Sequence, residues 1–125
     1  MAPQTRPTPD QLLPLTPAVF HIQLALADEP KHGYSIMKTV EQHSGGKVSM
    51  GPGTLYGTLK RMLKAGLVEE IDGPPEPADE RRRYYRLTPF GRRVLRAEAE
   101  RLAAVLRVAQ AKSLLAEAGE GQPWP

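Results

Sequence analysis

The chain contains no cysteine, which excludes disulfides, thiol nucleophiles and Cys-based zinc sites. Aromatic residues are scarce, at 6% of 125 positions, so a core must be built mainly from Leu, Val, Ile, Met and Ala. No apolar run approaches the ~20 residues needed to cross a bilayer, and the opening MAPQTRPTPDQ holds no signal-like apolar segment. The expectation is a soluble, cytoplasmic protein with no membrane partner. No carboxylate pair and no Ser/His/Asp set stands out. His21, His32 and His43 fall in different predicted elements without neighbours at ligand spacing. His21, on a dense apolar helix, reads as a satisfied packing residue. The sequence therefore reads as a non-enzyme with no metal site and no cofactor. A large excess of charge of one sign is also absent. Lys and Arg number 17 against 14 Asp and Glu, a formal +3, which permits a polyanionic partner without demanding one.

What is present is a chain long enough for one domain and one core, with clear helix and turn punctuation. Residues 1 to about 14 are rich in Pro, Thr and Gln and read as a mobile arm. Thr16-Pro17 pairs a capping residue with a proline suited to the first helical position. Val19, Phe20, Ile22, Leu24, Ala25 and Leu26 follow as a dense apolar helix that closes near Asp28-Glu29-Pro30. A second helix opens at His32-Gly33-Tyr34, carries Ile36, Met37 and Val40 at helical spacing and stops at Ser44-Gly45-Gly46. A third starts at Gly51-Pro52, repeats Leu55, Leu59, Met62 and Leu63, and ends at Gly66. Leu67–Ile71 and Arg82–Leu87 read as two strands joined by the proline-rich loop 72–79, with Tyr85 and Leu87 facing inward. Thr88-Pro89 repeats the cap-then-proline signature and opens the longest helix, to about Ala116.

The order helix, helix, helix, hairpin, long helix predicts a mainly α fold with a small β-hairpin: a winged helix-turn-helix with a long C-terminal helix. It divides the chain into an arm (1–14), a DNA-binding domain (15–88), a dimerisation helix (89–116) and a flexible tail (117–125).

The segment MGPGTLYGTLKRM, residues 50–62, tests two readings. A Walker loop needs Lys and then Ser or Thr directly after its last glycine, whereas Gly57 is followed by Thr58-Leu59. The dinucleotide fingerprint needs G-x-G-x-x-G after a buried strand, and here the spacing is one residue too long. The segment reads instead as the front of a recognition helix. Its first turn presents unpaired N–H groups toward phosphate, and Gly53 and Gly57, one turn apart, leave one side bare for close approach. Thr54 and Tyr56 supply hydroxyls, and Lys60, Arg61 and Lys64 supply charge beside the apolar stripe. Each of these residues also has a plainer reading: the basic ones as a solvated face, Tyr56 as a part-buried packing residue.

A second basic feature is Arg81-Arg82-Arg83, at the wing, where arginines can meet phosphate or the minor groove. Glu76, Asp79 and Glu80 in the same loop are candidates to pair with them. On the last helix Leu95, Ala99, Leu102, Val105, Leu106 and Ala109 keep a heptad-like spacing. A monomer would leave that stripe exposed. A two-fold dimer hides it and presents two recognition helices to a pseudo-palindromic site in double-stranded DNA.

The stretches LTPAVFHIQLALADEPKHGYSIMKTVEQHSGG, GPGTLYGTLKRMLKAGLVEEID and RRRYYRLTPFGRRVLRAE closely resemble PadR-like transcriptional regulators, from about Leu15 to Leu115. The resemblance implies a winged-helix, homodimeric repressor that releases DNA on a chemical signal. It implies that Thr54, Tyr56, Lys60 and Arg61 face DNA from the recognition helix and Arg81, Arg82 and Arg83 from the wing. Tyr34, matching the family's HGY, would support the helix-turn-helix by packing or by a phosphate contact. With one C-terminal helix the chain is similar to the short branch, some of whose members bind flat lipophilic or aromatic effectors against a tryptophan on that helix. The one tryptophan here, Trp124, lies in the tail beyond the helix, so the usual stacking partner is missing. A winged-helix protein-interaction module without specific DNA binding is the alternative.

Overall fold

The computed structural model describes residues 7–74 and 83–115. Four helices surround a core closed at one side by a small sheet: α1 (Pro17–Ala25), α2 (Gly33–His43), α3 (Pro52–Lys64) and α4 (Pro89–Ala111), with strands β1 (Lys31–His32), β2 (Val68–Asp72) and β3 (Arg83–Leu87).

The helix starts follow the local chemistry. The Thr16 hydroxyl accepts from the Val19 N–H at 3.3 Å, and the Thr88 hydroxyl accepts from the Gly91 N–H at 2.9 Å. Each satisfies one of the orphan donors of a first turn. His32 caps α2 through Nδ1, which accepts from the Ser35 N–H at 3.2 Å. Gly66, at φ +76°, takes the left-handed conformation that ends α3 and turns the chain into β2.

Ile22, Leu26, Ile36, Val40, Leu55, Leu59, Met62, Val68, Tyr85, Leu87 and Val94 make up most of the core. The inward placement of Tyr85 and Leu87 agrees with the alternation in the sequence. Burying a side chain such as Leu59 or Ile36 contributes about 2 kcal/mol relative to exposure. That packing fixes α3 against α1 and α2. Gly91 sits where α4 crosses the start of β2, so close that a Cβ there would stand 2.8 Å from the Leu67 carbonyl carbon and nearer still to its oxygen.

Four features depart from the sequence reading. The sheet has three strands, in the order β1-β3-β2, all antiparallel. Its extra strand is the dipeptide Lys31-His32, too short and too polar to show any alternation. Lys31 is nonetheless buried, its ammonium donating to the Ala25 carbonyl at 2.6 Å and to Asp28 Oδ1 at 2.8 Å. The arm read as mobile carries structure in its described part. Pro9–Leu12 form a 3-10 turn, and Leu12, Leu13 and Leu15 pack against the core. The Leu15 N–H donates at 2.7 Å to Glu98, a carboxylate 2% exposed on α4, whose other oxygen accepts from Arg101. That tether joins groups far apart in sequence, which periodicity does not report. Helix α1 ends at Ala25 rather than near residues 28–30, and α4 at Ala111 rather than 116, followed by Ser113 at φ 60°.

Candidate nucleic-acid interface

Helix α3 separates its residues by chemistry. Leu55, Thr58, Leu59 and Met62 are buried, while Gly53, Thr54, Tyr56, Lys60, Arg61 and Lys64 are exposed. Pro52 supplies the preset φ of a first helical residue and Gly51 caps without a side-chain bond. The N–H groups of the first turn, beside Thr54, thus take no side-chain cap from Gly51. A Cβ on Gly53 would meet nothing within 4 Å, so that side of the turn is bare. Gly57 differs: Arg61 folds back over it, with a guanidinium nitrogen 4.0 Å from where a Cβ would be and a 3.3 Å bond to the Thr58 hydroxyl.

Tyr56 is partly packed and partly exposed. It is 49% exposed, yet the end of its ring lies against α2, where a Cβ on Gly33 would stand 2.8 Å from Tyr56 Cζ. Its phenol thus joins the second turn of α3 to the start of α2, while about half of the side chain stays open to solvent. The sequence singles out Tyr56 but not Gly33, because the contact joins two helices.

Tyr34, 58% exposed, lies next to this junction at the start of α2. Its ring stacks on His32, with centroids 6.5 Å apart at 10°, and the Lys38 ammonium sits 5.1 Å from the Tyr34 centroid. Tyr84 of β3 meets His32 edge-on. Lys38 adds a cation that the sequence reading did not single out; its i, i+4 spacing from Tyr34 is the signal that would have found it.

Among the wing residues, Arg81 and Arg82 lie outside the described residues, as do Glu76, Asp79 and Glu80. Arg83 is described, and its partner is a strand residue, Glu70 Oε2 at 3.3 Å. Arg86 likewise bonds Glu69 Oε1 at 2.6 Å. Tyr85 is buried on β3, on the strand face that packs into the core. Burial raises its phenol pKa first, then the Glu70 carboxylate and Tyr56, against a smaller opposing effect of Arg83. Of the α4 arginines, Arg92 donates to the Ala27 carbonyl at 3.1 Å and Arg93 lies over the Phe90 ring. Only the Arg92 bond attaches α4 to its surroundings, since Phe90 is itself on α4.

The α4 stripe is split by depth. Leu95 is buried in the core of its own chain and belongs to that core rather than to a free seam. Ala99 is exposed and Leu102 and Ala109 are half-buried, while Val105, Leu106 and Val108 are 54%, 49% and 55% exposed. The stripe that packs the domain at Val94 and Leu95 thus continues uncovered along the second half of the helix.

His21 departs from its packing reading in one respect, since its buried Nδ1 has no hydrogen-bond partner among the described residues. No group of three or more His, Asp or Glu side chains among the described residues could hold a metal ion. No described helix is long and apolar enough to cross a membrane.

Comparison with known proteins matches these elements. The model of the "Transcriptional regulator PadR-like family" fits residues 22–97, a span from α1 into α4. A PadR family transcription regulator from Clostridium difficile superposes with a TM-score of 0.66 at 23% identity, covering 78% of this chain and 99% of that one. A PadR-like transcriptional regulator from Bacillus cereus gives 0.65 at 22% identity, over 86% and 96%. A PadR family regulator from Eggerthella lenta gives 0.58 at 28% identity, over 87% of each chain. An uncharacterized 37.1 kDa protein in a Streptomyces fradiae transposon is 43% identical over 79 residues, 63% of this chain. The match spans only 21% of the length of that relative.

Proposed function

The chain belongs to the PadR-like family of transcriptional regulators, and on that premise we propose that it is a cytoplasmic, homodimeric, sequence-specific repressor, released from DNA by a small lipophilic or aromatic effector. The observation that carries the reading is the division of α3. Its apolar face is locked into the core, and its outward face offers bare backbone at Gly53, the Thr54 hydroxyl, the open part of the Tyr56 ring, and three cations at Lys60, Arg61 and Lys64. A helix of that make-up suits the major groove, with its N-terminal residues at base edges and its lysines on phosphates. In this reading residues 15–88 form the DNA-binding unit, with Tyr34 and the Arg81–Arg83 run flanking the recognition helix. The uncovered stripe at Leu102, Val105, Leu106 and Ala109 meets its counterpart on a second copy.

Titration of the protein against DNA from upstream of its own gene, with unrelated duplex as competitor, tests the reading. Selective binding is expected, with a steep fall in affinity as salt rises, about 0.9 in log–log slope for each phosphate neutralised. Replacing Lys60 and Arg61 together by Ala should lower that slope by about 2. Equal affinity for all sequences would remove the repressor reading. A protein-interaction module draws support only from the pairing of Arg83 and Arg86 with β2 carboxylates, and it leaves the cationic face of α3 without a use.

A further inference from the structure

The described part of the wing is not a plain basic surface. The β2–β3 register sets Glu70 opposite Tyr85 and Asp72 opposite Arg83. Alternation along the strands puts these residues on the sheet face that also carries the buried Val68, Tyr85 and Leu87. Arg83 reaches diagonally across that face to Glu70. The second pair, Glu69 with Arg86, lies on the opposite face, with Ile71 and Tyr84. Two arginine–carboxylate pairs thus flank the same hairpin, one on the side of Tyr56 and α3 and one on the side away from it.

The inner pair is the unexpected one. A carboxylate beside a recognition helix repels phosphate, and its bond to a guanidinium offsets part of the charge that the guanidinium would bring to phosphate. Both side chains remain accessible, at 76% for Arg83 and 37% for Glu70, and an exposed pair of this kind contributes little to stability. Hairpin stability is therefore a weak reason for Glu70. The pair is well suited to exchange, because it rests on one exposed contact of 3.3 Å, whereas a phosphate can take Arg in a bidentate fork.

We infer that Glu70 limits the affinity of the DNA interface by holding Arg83 back from phosphate, so that duplex lacking the correct base contacts is bound weakly. On a correct site, close docking of α3 brings the backbone to Arg83 and exchanges its partner. On other DNA the looser approach leaves the pair intact. This inference rests on the DNA-binding reading above and adds a negative determinant to it.

The test compares Glu70→Gln, Glu69→Gln, Arg83→Ala and the Glu70→Gln/Arg83→Ala double variant. Random-sequence duplex DNA is the probe, titrated over a range of salt, with thermal melts to establish folding. Glu70→Gln should tighten binding about threefold or more and steepen the salt slope by about 0.9, one added phosphate contact. The double variant should match Arg83→Ala, and Glu69→Gln should match the wild type. An unchanged affinity and slope in Glu70→Gln would overturn the inference. So would an equal gain in Glu69→Gln or in the Arg83→Ala background, since either would reflect net charge alone. Should a Glu70→Gln melt depart from that of the wild type, a charge swap (Glu70→Arg with Arg83→Glu) restores the pair and should return affinity and slope to wild-type values; tightening in the swap would count against the inference. A wild type that binds no duplex at all would sink the DNA-binding reading itself, whereas a wild type that binds beside an inert Glu70→Gln sinks only this one.

Discussion

The phenol of Tyr56 occupies the space that a side chain at Gly33 would fill. The start of α2 and the second turn of α3 are therefore set against each other by one ring and one missing methyl group. Gly33→Ala should swing the Tyr56 ring outward, costing about 1 kcal/mol of stability and weakening DNA binding several-fold. In a Tyr56→Ala background the same substitution should be neutral or slightly stabilising, because alanine is the better helix residue. Melting and DNA titration of the four proteins in this cycle measure the coupling.

Gly91 presents the same geometry with backbone in place of a side chain. A Cβ there runs into the Leu67 carbonyl, which is itself held by the Thr88 N–H at 3.1 Å. No rotamer can relieve that contact. Gly91→Ala should cost about 3 kcal/mol, read as a large fall in melting temperature with no rescue from substitutions at Leu67.

The proposed dimerisation through α4 predicts a clean separation of assembly from folding. Val105 and Leu106 are each about half exposed in the single chain, so Val105→Glu with Leu106→Glu should leave the domain folded. Sedimentation should shift from dimer to monomer, and binding to a two-half-site DNA should fall toward that of a single module. Unchanged sedimentation would show that the interface lies elsewhere.

Glu98 gives a pH dependence whose sign is fixed. The hydrogen bond from Arg101 holds its carboxyl below the ordinary carboxylate range, helped by the Leu15 N–H and opposed by burial. A depressed folded-state value stabilises the protein above the ordinary pKa, and that contribution is lost as pH falls through the depressed one. Glu98→Gln should therefore melt at lower temperature than the wild type at neutral pH. The two curves should converge in acid. Loss of the charge-assisted bonds should cost about 2 kcal/mol at neutral pH.

Local chemistry carried much of this molecule into its sequence. Thr16-Pro17 and Thr88-Pro89 mark helix starts because cap and proline act within four residues, and Gly66 marks an end because few other residues tolerate its φ. The buried and exposed sides of α3 were legible from the repeat of Leu55, Leu59 and Met62. What was not legible depends on distant partners. Lys31 looks like a surface residue until the Ala25 carbonyl and Asp28 are seen to receive it. Glu98 looks like one more charge on a charged helix until Leu15 arrives. Leu95 reads as seam by spacing and is core because the domain reaches that far along α4. The wing arginines could be expected to meet acids, but the acid that takes Arg83 is Glu70, on the facing strand.

The placement of β3 between β1 and β2 has a consequence for how the chain reaches this form. The β2–β3 ladder can close early as a hairpin, since its strands are neighbours in sequence. Pairing of Lys31-His32 with Tyr84-Tyr85 must enclose all of α2 and α3, and loop closure of that size is repaid only once those helices have packed. The β1–β3 bridge should thus be among the last contacts made. A kinetic probe at Tyr84 should report completion of the whole helix-turn-helix rather than of the wing alone.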